Sequence, residues 1–358
     1  MERPTAKALA LRFGGLAAVT LCIVAPFFVV YHEPRNEAAA PAGRLTLPKH
    51  ERPELDREDY DRRLRRLAHV SEDVQPDVNA PAQPRLWPVD AAYPNAGAIL
   101  PFKRIVAYYG NFSAKSMGVL GEYPEEVMLK MLDKEAKAWE AADPTTPVQK
   151  AVDYIAIPAQ AGAGADGLYR MRMSDAKIDH ALEVAAKIDG IVILEVQAGL
   201  SGVMTEVRSL GPYLAKPQVH LAIDPEFAMK PSGARPGTRV GTVDAALVNE
   251  VADYLAGLVQ KNDLPPKVLI VHRYTREMVT NARKIEPLPE VQILMDMDGW
   301  GPPEKKYSTY NSWIKTEPVQ FTGFKLFYKN DIKRPGSRLL TPAEVLKLTP
   351  QPSFIQYQ

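Results

Sequence analysis

A (β/α)8 barrel of the TIM type is the fold class the sequence predicts for residues 101–358, and two observations predict it. From residue 103 onward, short β-branched runs alternate with amphipathic helical stretches, the pattern of parallel βαβ units. Polar residues also gather at the C-terminal ends of most of these runs. A barrel builds its site from all its strand ends, whereas a doubly wound open sheet needs polar groups mainly at one switch point.

In chain order the strands read as 103–109, 152–158, 190–196, 218–224, 267–272, 291–296, 319–328 and 353–357. Helices are expected near 125–140, 175–188, 202–213, 243–262, 274–284, 303–315 and 342–347. Ser174 and Thr341 stand where N-caps belong, and Thr341 is followed by Pro342 and Glu344. Eight strands with seven helical segments over ~255 residues match the size and order of such a barrel. No short period repeats, which disfavours solenoids and propellers.

The rest of the chain reads as an address label. Residues 13–31 are nineteen positions without a charge, close to the ~20 a helix needs to span a bilayer. Arg3, Lys7 and Arg12 precede them against Glu2 alone, which places residues 1–12 in the cytoplasm and the barrel on the extracytoplasmic side. A cleaved signal is the competing reading, with Ala38, Ala39 and Ala40 as small residues, but Pro41 follows them directly. Residues 32–100 contain nine prolines and read as a linker or stalk. Within it, ten of the sixteen residues from Glu54 to His69 are charged, which reads as a solvated helix.

Composition excludes several functions. With 46% hydrophobic residues the chain can fill a large core, and a net charge of +1 from 44 basic and 43 acidic residues gives no field for nucleic acid. The single cysteine, Cys22, lies in the apolar run, so there is no intrachain disulfide and no thiolate metal cluster. Gly162-Ala-Gly164-Ala-Asp-Gly167 matches a dinucleotide-binding pattern, but six residues separate it from the cap of the next helix, so it reads as a loop and no cofactor is expected. His220 and His272 lack His-X-His or Glu-X-X-His spacing, so they read as hydrogen-bonded core or substrate contacts and no metal is expected.

The sharpest chemical signal is His220-Leu-Ala-Ile-Asp224-Pro-Glu226. Acids two apart at a strand end point to one side, where one carboxylate raises the other's pKa. Glycosyl transfer needs such a pair, one protonated donor and one ionised partner. The competing reading makes Asp224 a cap for the turn at Pro225. Asp298 and Glu195 are the further catalytic candidates, with Lys325 a possible ion-pair partner for Glu195. Tyr108, Tyr109, Asn111, Gln197, His220, His272, Trp300, Lys325 and Tyr328 complete the expected substrate-binding rim. The aromatic members suit stacking on sugar faces. The Gly/Pro-rich stretch 230–242, with Arg235 and Arg239, reads as a lid or a surface excursion.

The Asp224-Pro-Glu226 strand end resembles that of chitinase-like and Chalaropsis-type lysozyme barrel glycosidases, and the resemblance implies that Glu226 is the general acid with Asp224 its helper. The longer Asp-rich motif of the chitinase-like family is absent, because Val219, Leu221 and Ala222 stand where its acids would be. The runs Val219–Glu226 and Leu264–His272 also resemble uncharacterised bacterial exported or lipoprotein-like barrel proteins. Together these readings lead to a glycoside hydrolase-like enzyme acting on an extracellular or cell-wall glycan. A non-catalytic envelope barrel that binds a polysaccharide or a protein partner is the alternative, the ligand in either case being a carbohydrate or other cell-envelope component, and a phosphodiester or lipid hydrolase is a third.

Overall fold

The computed structural model describes residues 54–70 and 86–358, and the compact unit runs from Glu51 to Gln358. The expected anchor at 13–31 and much of the expected linker lie outside the described residues. Among the described residues, no helix is long and apolar enough to cross a membrane.

Eight parallel strands close into a barrel, as the alternation predicts. They are β1 (Arg104–Gly110), β2 (Val148–Ile157), β3 (Ile191–Val196), β4 (Val219–Ile223), β5 (Lys267–Arg273), β6 (Val291–Met297), β7 (Phe321–Leu326) and β8 (Phe354–Tyr357). Each pairs with its neighbours in sequence, and β8 closes on β1 with Ile105 opposite Phe354. Strand residues are buried on both faces, which is why the strands read as near-continuous apolar runs.

Alternation sorts the side chains. Val106, Tyr108, Val152, Tyr154 and Leu221 face outward and pack under the helices. Ile105, Ala107, Ile193, Ile270, Leu294 and Phe354 face inward and form the lower core.

The helix expected at the charged stretch forms as α1 (Arg57–Leu67), capped by Asp56, whose side chain accepts the Asp59 N–H. It is not solvated all round. Tyr60 and Leu67 are buried and join Leu100 and the inward strand residues at the N-terminal end of the barrel. The Leu67 carbonyl accepts the Gln351 N–H at 2.7 Å, and Trp87 Nε1 donates to the Lys315 carbonyl at 2.8 Å. The described part of the proline-rich stretch therefore plugs the barrel from below.

Two helical expectations change. At 274–284 the chain forms a short strand, Val279–Thr280, paired with Val243–Asp244, and a tight turn at Ala282–Lys284. Met278, Ala282 and Ile285 are buried at helix-like spacing, but Asn281 at φ +56° breaks any helix between them. The segment 202–213 divides into Val203–Ser209 and Gly211–Leu214, because Pro212 has no N–H to continue the ladder. Thr341 forms the expected capping box with Glu344, whereas the Ser174 side chain makes no cap bond.

Candidate active site

Each strand places a polar residue inward at or near its C-terminal end, and together these residues form one buried ring: Tyr109, Asp153, Glu195, Asp224, His272, Asp296, Lys325 and Gln356; on β2 the apolar Ile155 stands above Asp153 and lines the cavity. Asp224 follows directly on β4. Below the ring the interior is mostly aliphatic and aromatic, with His220 and Gln292 as hydrogen-bonded polar exceptions; above it a cavity of about 540 Å³ opens at the C-terminal mouth. Sites of TIM barrels occupy this face.

His272 is the hub. Its Nδ1 lies 3.0 Å from Asp296 Oδ2, its Nε2 3.2 Å from Glu195 Oε2, and Asp298 Oδ2 is 3.8 Å from Nδ1. Glu195 also accepts from Tyr109 Oη at 3.0 Å and from Gln197 Nε2 at 2.9 Å. Lys325 Nζ sits 3.1 Å from Asp298 Oδ1 and 3.9 Å from the centre of the Tyr109 ring. Gln356 donates to Asp153 at 2.6 Å.

The charges are unequal: His272 and Lys325 face Asp153, Glu195, Asp224, Glu226, Asp296 and Asp298. Burial opposes the imidazolium, but hydrogen bonds to Asp296 and Glu195 raise the His272 pKa well above its usual value. Burial would lift Glu195, yet its hydrogen bond to His272 brings the carboxyl below the ordinary range. Asp153 and Asp224 are pushed well up, first by burial and then by Glu195. Glu226 is raised as well, by burial and then by repulsion from Asp298. Six acids around two cations thus leave some carboxyls holding protons.

Three of those acids, Asp224, Glu226 and Asp298, line the cavity, with Tyr109, Gln197, Tyr274, Trp300, Lys305, Lys325 and Phe327 around them. Asp224 and Glu226 differ in role. β4 ends at Ile223, and Pro225–Phe227 is a 3-10 turn in which Asp224 Oδ1 accepts the Glu226 N–H at 2.9 Å. The turn-capping reading of Asp224 therefore holds, and it aims Glu226, half-buried, at the cavity beside Tyr274.

Of the residues singled out from sequence, Tyr109, Gln197, Asp224, Glu226, Asp298, Trp300 and Lys325 line the cavity; Glu195 and His272 support it from below. Four stand elsewhere. Tyr108 faces outward, its hydroxyl 2.8 Å from that of Tyr328, and Tyr328 donates to Glu135 on the helix Glu125–Ala142. Both are core aromatics, not sugar platforms. Asn111 is consumed locally, donating to the Ile155 carbonyl and accepting the Ser113 N–H. His220 points inward near the start of β4, where Nδ1 accepts the Val268 N–H at 2.9 Å, roughly 13 Å of strand below the mouth. Arg235 and Arg239 do not line the cavity.

Sequence reasoning missed Asp153, Tyr274 and Lys305. Asp153 interrupts an apolar strand as Glu195 does, so the same rule identifies it. Tyr274 sits on the loop after β5 and Lys305 in the short helix Pro303–Thr309, where local sequence gives no direction.

A scan of protein-family models returned no match, and neither did a search of curated proteins. Among solved structures, a Bacillus subtilis mannanase, BCman, is similar over 72% of this chain and 81% of that chain, at 10% identity and a TM-score of 0.37.

Proposed function

We propose that the chain is a glycoside hydrolase-like enzyme that acts outside the cytoplasmic membrane, held there by the apolar segment 13–31. One observation carries the reading: Glu226 is the carboxyl whose pKa is raised while it keeps partial exposure to a cavity that also presents Asp298. Glu226 protonates the glycosidic oxygen as the bond to the leaving sugar breaks. Asp298, paired with Lys325, supplies negative charge to the oxocarbenium-like centre. Tyr109, Tyr274 and Trp300 offer ring faces to sugars, and Gln197 offers an amide.

Glu226→Gln removes the donated proton and keeps the shape, so glycan cleavage is expected to fall by roughly 10²–10⁴-fold with the folded state retained. Release of reducing ends from cell-wall and soluble glycans measures this. Unchanged turnover would sink the assignment, and binding without product release from the unaltered protein would favour the non-catalytic reading.

A further inference from the structure

The wall of the cavity carries the charge opposite to its floor. Trp300 is 46% exposed and lines the cavity together with Lys305. Lys305 Nζ lies 4.8 Å and Lys333 Nζ 5.3 Å from the centre of the Trp300 ring. Neither ammonium has a carboxylate partner among the described residues, although both are exposed.

The frame beneath them is rigid. Buried Asp331 accepts the Gly301 N–H at 2.9 Å and the Phe327 N–H at 3.0 Å, and pairs with Lys306 at 3.0 Å. The Lys306 ammonium also donates to the carbonyls of Gly299 at 3.0 Å and Lys325 at 2.6 Å. The loop after β6 is thereby tied to the loop after β7, and the indole and both lysines are presented together.

Two ammonium groups against one exposed ring concentrate positive charge at the rim. An anion there can pair with both. The floor, where six acids outnumber two cations, disfavours it, so the rim is where it fits. The flexible lysine stems allow a sugar to stack on the indole while an ammonium swings to its carboxylate.

We propose that Trp300, Lys305 and Lys333 form a subsite for a carboxylate-bearing sugar, so that the glycan taken by this cavity contains uronic acid. The proposal rests on the glycan reading above and names its substrate class. It is tested by measuring binding of uronate oligosaccharides (galacturonan, glucuronan and alginate types) and their carboxyl-reduced counterparts to the full chain carrying Glu226→Gln. The acidic forms are expected to bind about tenfold more tightly at low salt. That preference should vanish near 1 M salt, where the screening length is about 3 Å, and in the Lys305→Gln/Lys333→Gln variant. Equal affinity for acidic and reduced forms, a preference that survives the double substitution, or no binding at all overturns the subsite. Turnover by the unsubstituted protein reports separately on the hydrolase reading. An acidic preference in binding without product release keeps the subsite and retires catalysis; cleavage without that preference does the reverse.

Discussion

Replacing Lys325 with Met tests whether the polar ring is held together by its two cations. Lys325 and Asp298 are only 3% and 8% exposed and lie 3.1 Å apart. Removing one partner of a buried pair leaves an uncompensated charge, at a cost of about 3–5 kcal/mol. Loss of the ammonium from the Tyr109 ring adds about 0.5–2 kcal/mol. Lys325→Met should therefore lower the unfolding free energy by roughly 3.5–7 kcal/mol at pH 7, read by urea denaturation. Asp298→Asn in the same background removes the orphaned carboxylate and should return part of that loss, giving a coupling of about 1–3 kcal/mol in a double-mutant cycle. Additive effects of the two substitutions, within about 0.5 kcal/mol, would show that the pair does not hold the ring.

Three further outcomes follow from the same geometry. His272, Asp153, Asp224 and Glu226 all bind protons more tightly folded than unfolded, so each makes stability fall as pH rises. The His272 contribution is fully present below about pH 6.5 and is lost as pH climbs through its raised folded value; because buried Lys267, lowered to about 7, gives the opposite slope, the check is His272→Gln, and an unfolding profile from pH 6 to 9 that is unchanged by it would contradict this. Gly323→Ala places a Cβ 2.4 Å from Asp296 Oδ1 and 2.9 Å from the Phe354 ring, so a loss of about 1–3 kcal/mol is expected, and neutral behaviour in thermal melts would mean that β7 yields there. Asp224→Asn mimics a neutral acid and keeps a cap acceptor, so it should change stability by less than about 1 kcal/mol, whereas Asp224→Ala should cost about 0.5–2 kcal/mol; equal effects in urea unfolding would refute the capping role.

The barrel was legible because parallel strands buried on both faces leave long apolar runs, and the polar residues that interrupt or end them mark the mouth. Glu195, Asp298 and Lys325 stand out by that rule. Tyr108 and Tyr109 do not separate by it, since adjacent residues face opposite ways and only the register tells which looks inward. The segment 274–284 misleads for a related reason: Met278, Ala282 and Ile285 are spaced like a helix face but are buried by a turn and a two-residue strand. α1 looks solvated because its Arg and Asp residues hide how much Tyr60 and Leu67 bury. Composition averages over a face; packing selects one side of it.

The Asp224–Glu226 spacing brings the two residues to the candidate site by a geometry other than the one it suggests. Two acids two apart share a side only while the chain stays extended, and β4 ends at Ile223. Beyond it the 3-10 turn separates their tasks, so Asp224 holds the Glu226 backbone while the Glu226 side chain meets the cavity. The second charge that raises Glu226 comes from two strands away, from Asp298 at the end of β6. Asp298 is itself held near Lys325 of β7 and His272 of β5. The pairing of Glu226 with Asp298 is thus a product of strand order: it joins residues more than seventy positions apart, and no local motif could contain it.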